Sequence, residues 1–187
     1  MCARPSKPCR QGPERVAVLP IRLYPDPVLR VRCPPVTVFD QALADLARDM
    51  VDTMHAAPGV GLAAPQVGRE VRLAVVDVSV GERGDELHIL VNPQIVASTG
   101  AETESEGCLS IPDFTEKVER PETLTITAQR LDGSPFEIRA TELLARALGH
   151  ELDHLNGVLF VDHLRGLRRE RARRFLRRLL KDRKEGG

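Results

Sequence analysis

Tryptophan is absent from this chain of 187 residues, and aromatic residues together make up only 3% of it. Proteins that hold single-stranded nucleic acid by base stacking need several aromatic side chains, so that activity is disfavoured and no DNA partner is expected. No apolar run reaches the roughly 18 residues that a membrane-spanning helix requires. The apolar (42%) and charged (29%) fractions are those of a soluble globular protein, and no membrane partner is expected.

Cysteine is also scarce. The four cysteines are scattered rather than densely spaced, and they are Cys2, Cys9, Cys33 and Cys108. Small secreted scaffolds show dense, paired cysteine spacing instead. We therefore expect reduced thiols and a cytoplasmic protein, in which at most one cysteine is functional.

The net charge of zero hides an asymmetry, because residues 165–187 carry a net +8 and the remainder a net −8. Apolar residues recur among the arginines at helical spacing, which predicts a basic amphipathic helix over 165–184. Its apolar side is expected to contain Leu164, Leu167, Phe175, Leu176, Leu179 and Leu180. The arginine face is either simply solvated or binds phosphates of a nucleic acid.

The rest of the chain is organised as an arm followed by one domain. Residues 1–15 are proline-rich and polar, which predicts a flexible N-terminal arm, and residues 16–187 are expected to form a single domain. Asp40 is a candidate cap for a helix over 41–56, and His55 at the end of that helix is expected to be a solvated histidine rather than a ligand. Aliphatic and β-branched runs predict strands over 71–78, 87–91, 123–130 and 135–140, and Asp132-Gly133 predicts a hairpin between the last two. Asn92-Pro93 is expected to end the second of them, since proline cannot donate to a strand ladder.

The strongest local signal is His150-Glu151-Leu152-Asp153-His154. A helix is predicted over 142–155, between Thr141 as its cap and Gly157 just past its end. Residues four apart on a helix lie on one face, so His150 and His154 can point at one spot, with Glu151 beside them. This H-E-x-x-H pattern is typical of two metal ligands and a general base.

Two histidines need a third ligand to hold a catalytic metal, and the residues alone leave several candidates. The extended protease pattern requires a histidine at position 160, which is Phe160 in this chain. A downstream carboxylate, Asp162 or Glu170, would resemble the two-histidine, one-carboxylate arrangement. An upstream thiolate, Cys108 in Glu106-Gly107-Cys108-Leu109-Ser110, is the other option, although a lone cysteine is more often a buried apolar residue.

Three stretches taken together resemble a known family. GVGLAAPQ (59–66), EGCLS (106–110) and HELDH (150–154) are similar, in order and spacing, to the three signature motifs of the peptide deformylases. Four shorter stretches also resemble that family, namely YPDPVLR (24–30), VNP (91–93), SIP (110–112) and HLNGVLF (154–160). The resemblance covers roughly residues 17–165.

This resemblance implies an α+β fold in which antiparallel sheets pack around a central metal-binding helix, with an amphipathic C-terminal helix. It implies that Cys108, His150 and His154 bind one divalent metal ion and that Glu151 is the general acid–base. Two groups would face the formyl oxygen, the Gln66 side-chain amide and the Leu109 backbone N–H. Val60 and Gly61 would lie beside the bound peptide. Thiolate and imidazole ligands suit Fe(II), Zn, Ni or Co, and the family resemblance favours Fe(II).

The function implied is hydrolysis of the N-formyl group from the N-terminal methionine of newly synthesised polypeptides, with release of formate. The basic helix would then contact the ribosome. The alternatives are an H-E-x-x-H zinc metalloprotease, or a non-enzymatic ribosome- or RNA-binding module that uses the basic tail. Two positions depart from the family pattern: Gly149 replaces a common glutamine, and Arg146 replaces an aliphatic residue near the substrate pocket.

Overall fold

The computed structural model describes residues 17–57 and 59–185. The predicted arm over residues 1–15 lies outside this part, and the division of the chain into arm and catalytic domain stays a prediction. The described helices are α1 (Gln41–Ala56), α2 (Glu142–Leu155) and α3 (Gly166–Glu185). The described strands are β1 (Gly61–Ala63), β2 (Leu73–Asp77), β3 (Leu87–Thr99), β4 (Glu102–Cys108), β5 (Ile111–Arg120), β6 (Thr123–Gln129) and β7 (Pro135–Thr141).

The strands form two antiparallel sheets. One has five strands in the order β1-β2-β3-β6-β7, and the other is the hairpin β4-β5. The predicted hairpin around Asp132-Gly133 is the β6-β7 connection. Among the described residues, no helix is long and apolar enough to cross a membrane. The α+β fold class, with its C-terminal helix, is confirmed.

Helices α1 and α2 both pack on the five-stranded sheet. Asp40 caps α1 by accepting a hydrogen bond from the Leu43 amide at 3.0 Å, as its position predicts. The buried stripe of α1 packs against β1 and β2 through Leu43, Ala47, Met50 and Met54. Helix α2 places Ala145, Leu148 and Leu152 against buried residues of β2, β3, β6 and β7. The sheet therefore supports α2 along its length and fixes which of its residues face outward from the core.

Strand β3 differs from the prediction that Asn92-Pro93 ends it, because it continues to Thr99. Asn92 has a φ of 53°, and the pairing of β3 with β6 shifts register between Val91 and Gln94. The Asn92 side chain bonds the Val36 amide at 2.7 Å and the Val36 carbonyl at 2.9 Å. The missing N–H of Pro93 thus falls in a bulge, where a strand tolerates it.

Helix α3 packs on the β4-β5 hairpin. The rings of Phe114 and Phe175 stack with centroids 4.8 Å apart, and Ala172 is buried in the same cluster. The expected apolar side of α3 is wrong at one residue, since Leu167 is 83% exposed. Leu167 lies in the first turn of α3, five residues before Ala172, which is the first residue of the helix to be buried against the hairpin.

Candidate metal centre

Helix α2 brings the two predicted histidine ligands together. His150 and His154 are one turn apart, so their side chains project to the same side of the helix. Their ring centroids are 4.9 Å apart, and their residues are only 9% and 1% exposed. The support of the sheet under α2 therefore holds two buried imidazoles at one place, as the spacing predicts.

The predicted cysteine ligand comes from a different element. Cys108 is the last residue of β4, immediately before the tight turn into β5. Its Sγ lies 3.2 Å from Nε2 of His154, and the ligand atoms of Cys108, His150 and His154 all lie within 4.8 Å of one another. A sulfur and a nitrogen bound tetrahedrally to one ion at usual bond lengths are about 3.5 Å apart. The observed spacing therefore fits one divalent ion.

The two downstream carboxylates that the sequence left open are engaged elsewhere. Asp162 forms an ion pair with Arg30 and also accepts the Leu159 amide at 2.8 Å. Glu170 is exposed on α3 and pairs with Arg173 at 3.0 Å. Cys108 is therefore the third candidate ligand that the fold brings to the histidines.

The electrostatics of the cluster favour a cation. Burial lowers the pKa of His154 well below its ordinary value, and the nearby positive groups act in the same direction. A neutral imidazole is the form that binds metal. Burial also opposes a charge on His150, but the Cys108 sulfur and the Glu106 carboxylate outweigh it and raise the pKa of His150 to about 10. The sulfur and carboxylate that favour a proton on His150 also attract a divalent cation.

Glu106 is a buried site residue that the sequence reasoning did not identify. Its Oε2 lies 3.2 Å from Nδ1 of His150, which leaves Nε2 of that ring to face the candidate metal position. Two arginines donate to the same carboxylate, Arg120 at 2.8 and 3.0 Å and Arg146 at 2.8 Å. Burial raises the pKa of Glu106, but the hydrogen bonds from His150 and Arg120 outweigh burial and lower it to about 2. The sequence feature that could have identified Glu106 is its position as the first residue of the EGCLS stretch, two residues before Cys108.

Glu151 lies in a setting that suits a general base. Its residue is 3% exposed, and burial raises the pKa of Glu151 to about 7, against the lowering effect of the positive charges of His150 and Arg120. A base with a pKa near neutral pH transfers protons most effectively there. Two buried atoms have no hydrogen-bond partner among the described residues, namely Oε2 of Glu151 and Nδ1 of His154. Glu151 therefore has an oxygen available for a water or a substrate.

Gly61 fits tightly against Glu151. A Cβ built on Gly61 would lie 2.9 Å from Cδ and 3.0 Å from Cγ of Glu151, with Oε1 nearer still. Real Cβ atoms do not approach other atoms below 3.0 Å. Any side chain at position 61 would therefore displace the Glu151 carboxylate.

Gln66 directs its amide group toward the thiol. Its Oε1 accepts the Ala63 amide at 2.8 Å, which orients the side chain and leaves Nε2 to donate to Ser110 Oγ at 3.3 Å and Cys108 Sγ at 3.6 Å. The backbone holds the same region, because the Gln66 carbonyl accepts from the Arg22 amide at 2.7 Å. A donor NH₂ group is thus fixed beside the cluster.

A pocket of about 570 Å³ opens over the cluster. All four residues that the resemblance assigns to substrate line it, namely Val60, Gly61, Gln66 and Leu109. Cys108, His150 and Glu151 also line it, whereas His154 lies deeper. The sequence-predicted site residues therefore come together at one cavity.

Comparison with known proteins identifies the family. The family of polypeptide deformylases matches residues 18–170, which is most of the chain. The chain belongs to the peptide deformylase family.

Relatives and solved structures agree with this membership. The chain is 48% identical to the peptide deformylase of Acidobacterium capsulatum over 87% of this chain and 95% of the relative. It is 48% identical to that of Brucella suis over 83% of this chain and 89% of the relative. The crystal structure of a Legionella pneumophila peptide deformylase superposes with a TM-score of 0.82 at 46% identity, covering 89% of this chain and 98% of that one. Arabidopsis thaliana peptide deformylase 1B gives a TM-score of 0.85 at 37% identity, covering 90% and 93%.

Membership of the peptide deformylase family confirms that the chain is an enzyme. It decides against the metalloprotease and against the non-enzymatic RNA-binding module as the identity of the chain. The family is metal-dependent, and the half-buried thiol and the two buried imidazoles form a set of ligands that fits such an ion. Arg146 lies in the pocket wall and Gly149 lies next to His150 in α2.

Proposed function

We propose that this enzyme removes the N-formyl group from the N-terminal methionine of newly synthesised polypeptides and releases formate. The observation that carries the proposal is the cluster of Cys108, His150 and His154 with the Glu151 carboxylate beside it, at the base of an open pocket. The reaction consumes one water, which divides between formate and the free amino terminus of the peptide.

Cys108, His150 and His154 would hold one divalent ion, and we propose Fe(II) as the native ion. A thiolate with two imidazoles suits Fe(II), and also Zn, Ni or Co, so any of these ions would occupy the same ligands. When bound, the ion supplies Lewis-acid chemistry, which lowers the pKa of water and polarises a carbonyl group. Glu106 would keep Nε2 of His150 directed at the ion, since its carboxylate pairs with the Nδ1 side of the ring at 3.2 Å.

Glu151 would act as the general acid–base. Its carboxylate accepts a proton from the water that attacks the formyl carbon, and it later gives that proton to the leaving amine. The raised pKa of about 7 suits both transfers near neutral pH. Gly61 allows the carboxylate to lie where the reaction needs it, because no side chain occupies that space.

Gln66 and Leu109 would stabilise the oxygen that becomes negative during the attack. The Gln66 Nε2 group is fixed beside Cys108, and Leu109 follows Cys108 directly in the hairpin turn, so that its N–H is close to the same place. Losing one such donor typically costs about 2.7–4 kcal/mol of transition-state stabilisation.

Val60 and Gly61 would bind the peptide backbone. Strand β1 begins at Gly61 and is an edge strand of the five-stranded sheet, and both residues line the pocket. An extended peptide can pair with a free sheet edge through main-chain hydrogen bonds. This would place the formylated end of the peptide over the cluster.

The test is release of formate from formyl-Met-Ala under anaerobic conditions, with metal content measured on the same samples. Glu151→Ala is expected to retain its metal and lose at least 100-fold in kcat, as is typical of a removed general base. Glu170→Ala, an exposed acid on α3, is the matched control. Near-normal turnover by Glu151→Ala would refute the role of this residue.

Cys108→Ser is expected to lose metal, because a neutral hydroxyl replaces a thiolate. Cys33→Ser is its control, since Cys33 is buried away from the cluster. Unchanged metal content in Cys108→Ser would remove Cys108 from the proposed site.

We also propose that α3 contacts the ribosome, where formylated chains emerge, and that the protein acts in the cytoplasm. One side of α3 packs on the hairpin, and its arginines between residues 168 and 178 are exposed. Arg174, Arg177 and Arg178 lie within one turn of each other on that exposed side. Phosphate contacts by such residues weaken steeply as salt rises.

Ribosome co-sedimentation at low salt tests this proposal. A triple variant with Arg174, Arg177 and Arg178 changed to Gln should bind about 10-fold more weakly or worse and depend less on salt. The same charge is removed elsewhere in a control that changes the exposed Arg32, Arg69 and Arg139 to Gln. Equal binding by the two triple variants would contradict a role for α3.

A further inference from the structure

The three candidate ligands belong to two separate units of the fold. Cys108 is carried by the β4-β5 hairpin, which forms a sheet of its own, whereas His150 and His154 are carried by α2 on the five-stranded sheet. The distance from sulfur to imidazole therefore depends on how the hairpin is held against the helix. A site of three ligands binds tightly only if that distance is preset.

Arg146 joins these two units. It lies one turn before His150 on α2, and its residue is 8% exposed. Its Nη1 donates to Glu106 Oε1 at 2.8 Å and to the Val118 carbonyl at 3.1 Å, and its Nη2 donates to the Glu102 carbonyl at 3.3 Å. All three acceptors lie on the hairpin, two on β4 and one on β5.

The contacts of Arg146 need a guanidinium. Two nitrogens of one planar guanidinium donate to three acceptors that lie in different directions. A lysine has a single nitrogen at the end of a flexible stem, so it could not hold all three in the same geometry. Arg120 makes the opposite connection, since it lies on β5 and donates to Asp153 of α2 at 2.6 Å. Both arginines donate to Oε1 of Glu106. They therefore fix the carboxylate whose other oxygen pairs with His150.

We propose that Arg146 is a positioning residue that sets the spacing between the thiol of the hairpin and the imidazoles of α2, and so strengthens binding of a divalent ion. This inference rests on the proposed function, because it takes Cys108, His150 and His154 as the ligands. Arg146 is not one of the three proposed ligands, and its role is exerted through its contacts with Glu106, Val118 and Glu102 of the hairpin.

Binding of Co(II) to the metal-depleted full chain tests the proposal without any measurement of activity. Cobalt reports its own surroundings, because thiolate coordination produces a charge-transfer absorption and the visible bands respond to ligand geometry. Affinity is measured by competition with a chelator. Arg146→Met keeps the apolar stem and removes the guanidinium. Arg146→Lys keeps the charge but removes the planar fork of two donor nitrogens. Arg139→Met is an exposed control on β7.

Both Arg146 variants are expected to bind Co(II) about 10- to 100-fold more weakly, as is typical when a group that orients ligands is lost. Their visible bands should shift, whereas Arg139→Met should match the unchanged protein. Unaltered affinity and spectrum in Arg146→Lys would overturn the proposal, because the fork would then be dispensable. A loss of fold in both variants would also overturn it, since the contacts would then serve stability rather than spacing.

The same experiment separates this inference from the proposed function. If the unchanged protein shows no thiolate-to-cobalt absorption, Cys108 is not a ligand and the proposed metal site fails. If that absorption is present and equal in the Arg146 variants, only the positioning role fails.

Discussion

Gly61→Ala should damage catalysis while leaving the fold intact. The added Cβ would lie 2.9 Å from Cδ and 3.0 Å from Cγ of Glu151, whereas ordinary contacts begin near 3.4 Å. The carboxylate end must therefore move by a few tenths of an ångström to about 1 Å, and a 1 Å misplacement in an active site costs about 100-fold in rate. Because a flexible side chain absorbs the change, the free energy of unfolding should fall by less than about 1 kcal/mol.

The assay is kcat for formate release from formyl-Met-Ala, with metal content and urea unfolding measured on the same preparation. Gly149→Ala is the control, because it adds the same methyl group next to a candidate ligand at ordinary contact distances of 3.6–3.9 Å. That control should retain kcat within about twofold. A wild-type kcat in Gly61→Ala would refute the inference that the empty space at position 61 positions Glu151.

Three further predictions follow from burial and backbone geometry. Gly149→Ala should stabilise the protein by about 1 kcal/mol because glycine is a poor helix former. Gly166 has a φ of 54° and nothing within 4 Å of an added Cβ, so Gly166→Ala should lower the free energy of unfolding by about 1–2 kcal/mol. Urea unfolding measures both changes, and the same sign for both would contradict these expectations. Burial raises the pKa of Cys33 to about 11, so alkylation of Cys33 at pH 8 should be about 100-fold slower in the folded protein than in the unfolded chain. Peptide mass mapping follows the reaction, and equal rates in the two states would refute the burial of Cys33. Phe175→Ala should cost about 2 kcal/mol in thermal unfolding, because its ring stacks on the hairpin, while Leu167→Ala, 83% exposed, should cost nearly nothing.

Local sequence patterns predicted the elements that are regular and close in sequence. The stripe of α1, the cap at Asp40 and the face of α2 with its two histidines all depend on helical periodicity, which a few residues are enough to define. The alternation of β6 and its turn into β7 have the same local origin. These parts of the fold are confirmed.

The β4-β5 hairpin was not predicted, although it carries Cys108. Its outward positions are polar, and the buried residues of β5 are few and widely spaced, Ile111, Val118 and Arg120. A strand that buries an arginine does not show the usual apolar alternation. The hairpin is held by α3 and by the contacts that Arg120 and Arg146 make between it and α2. These partners are distant from one another in the sequence.

His55 illustrates the same limit on α1. From its place at the end of the helix a solvated histidine was expected, yet its Nε2 lies 2.9 Å from the buried Asp77 carboxylate. Asp77 lies on β2, 22 residues away. A pair of this kind depends on how α1 packs on the sheet, which local composition does not encode.

The sequence by itself determined the chemistry of this protein. Helical spacing put His150 and His154 on one face with Glu151 beside them, and the three ordered motifs indicated a deformylase with Cys108 as a candidate ligand. Only the tertiary structure decided how these groups are held. Glu106, Arg120 and Arg146 are separated by 14 to 40 residues and meet because the hairpin folds against α2. The reason is physical: ligand identity follows from residue type, whereas ligand spacing follows from contacts between elements that are far apart along the chain.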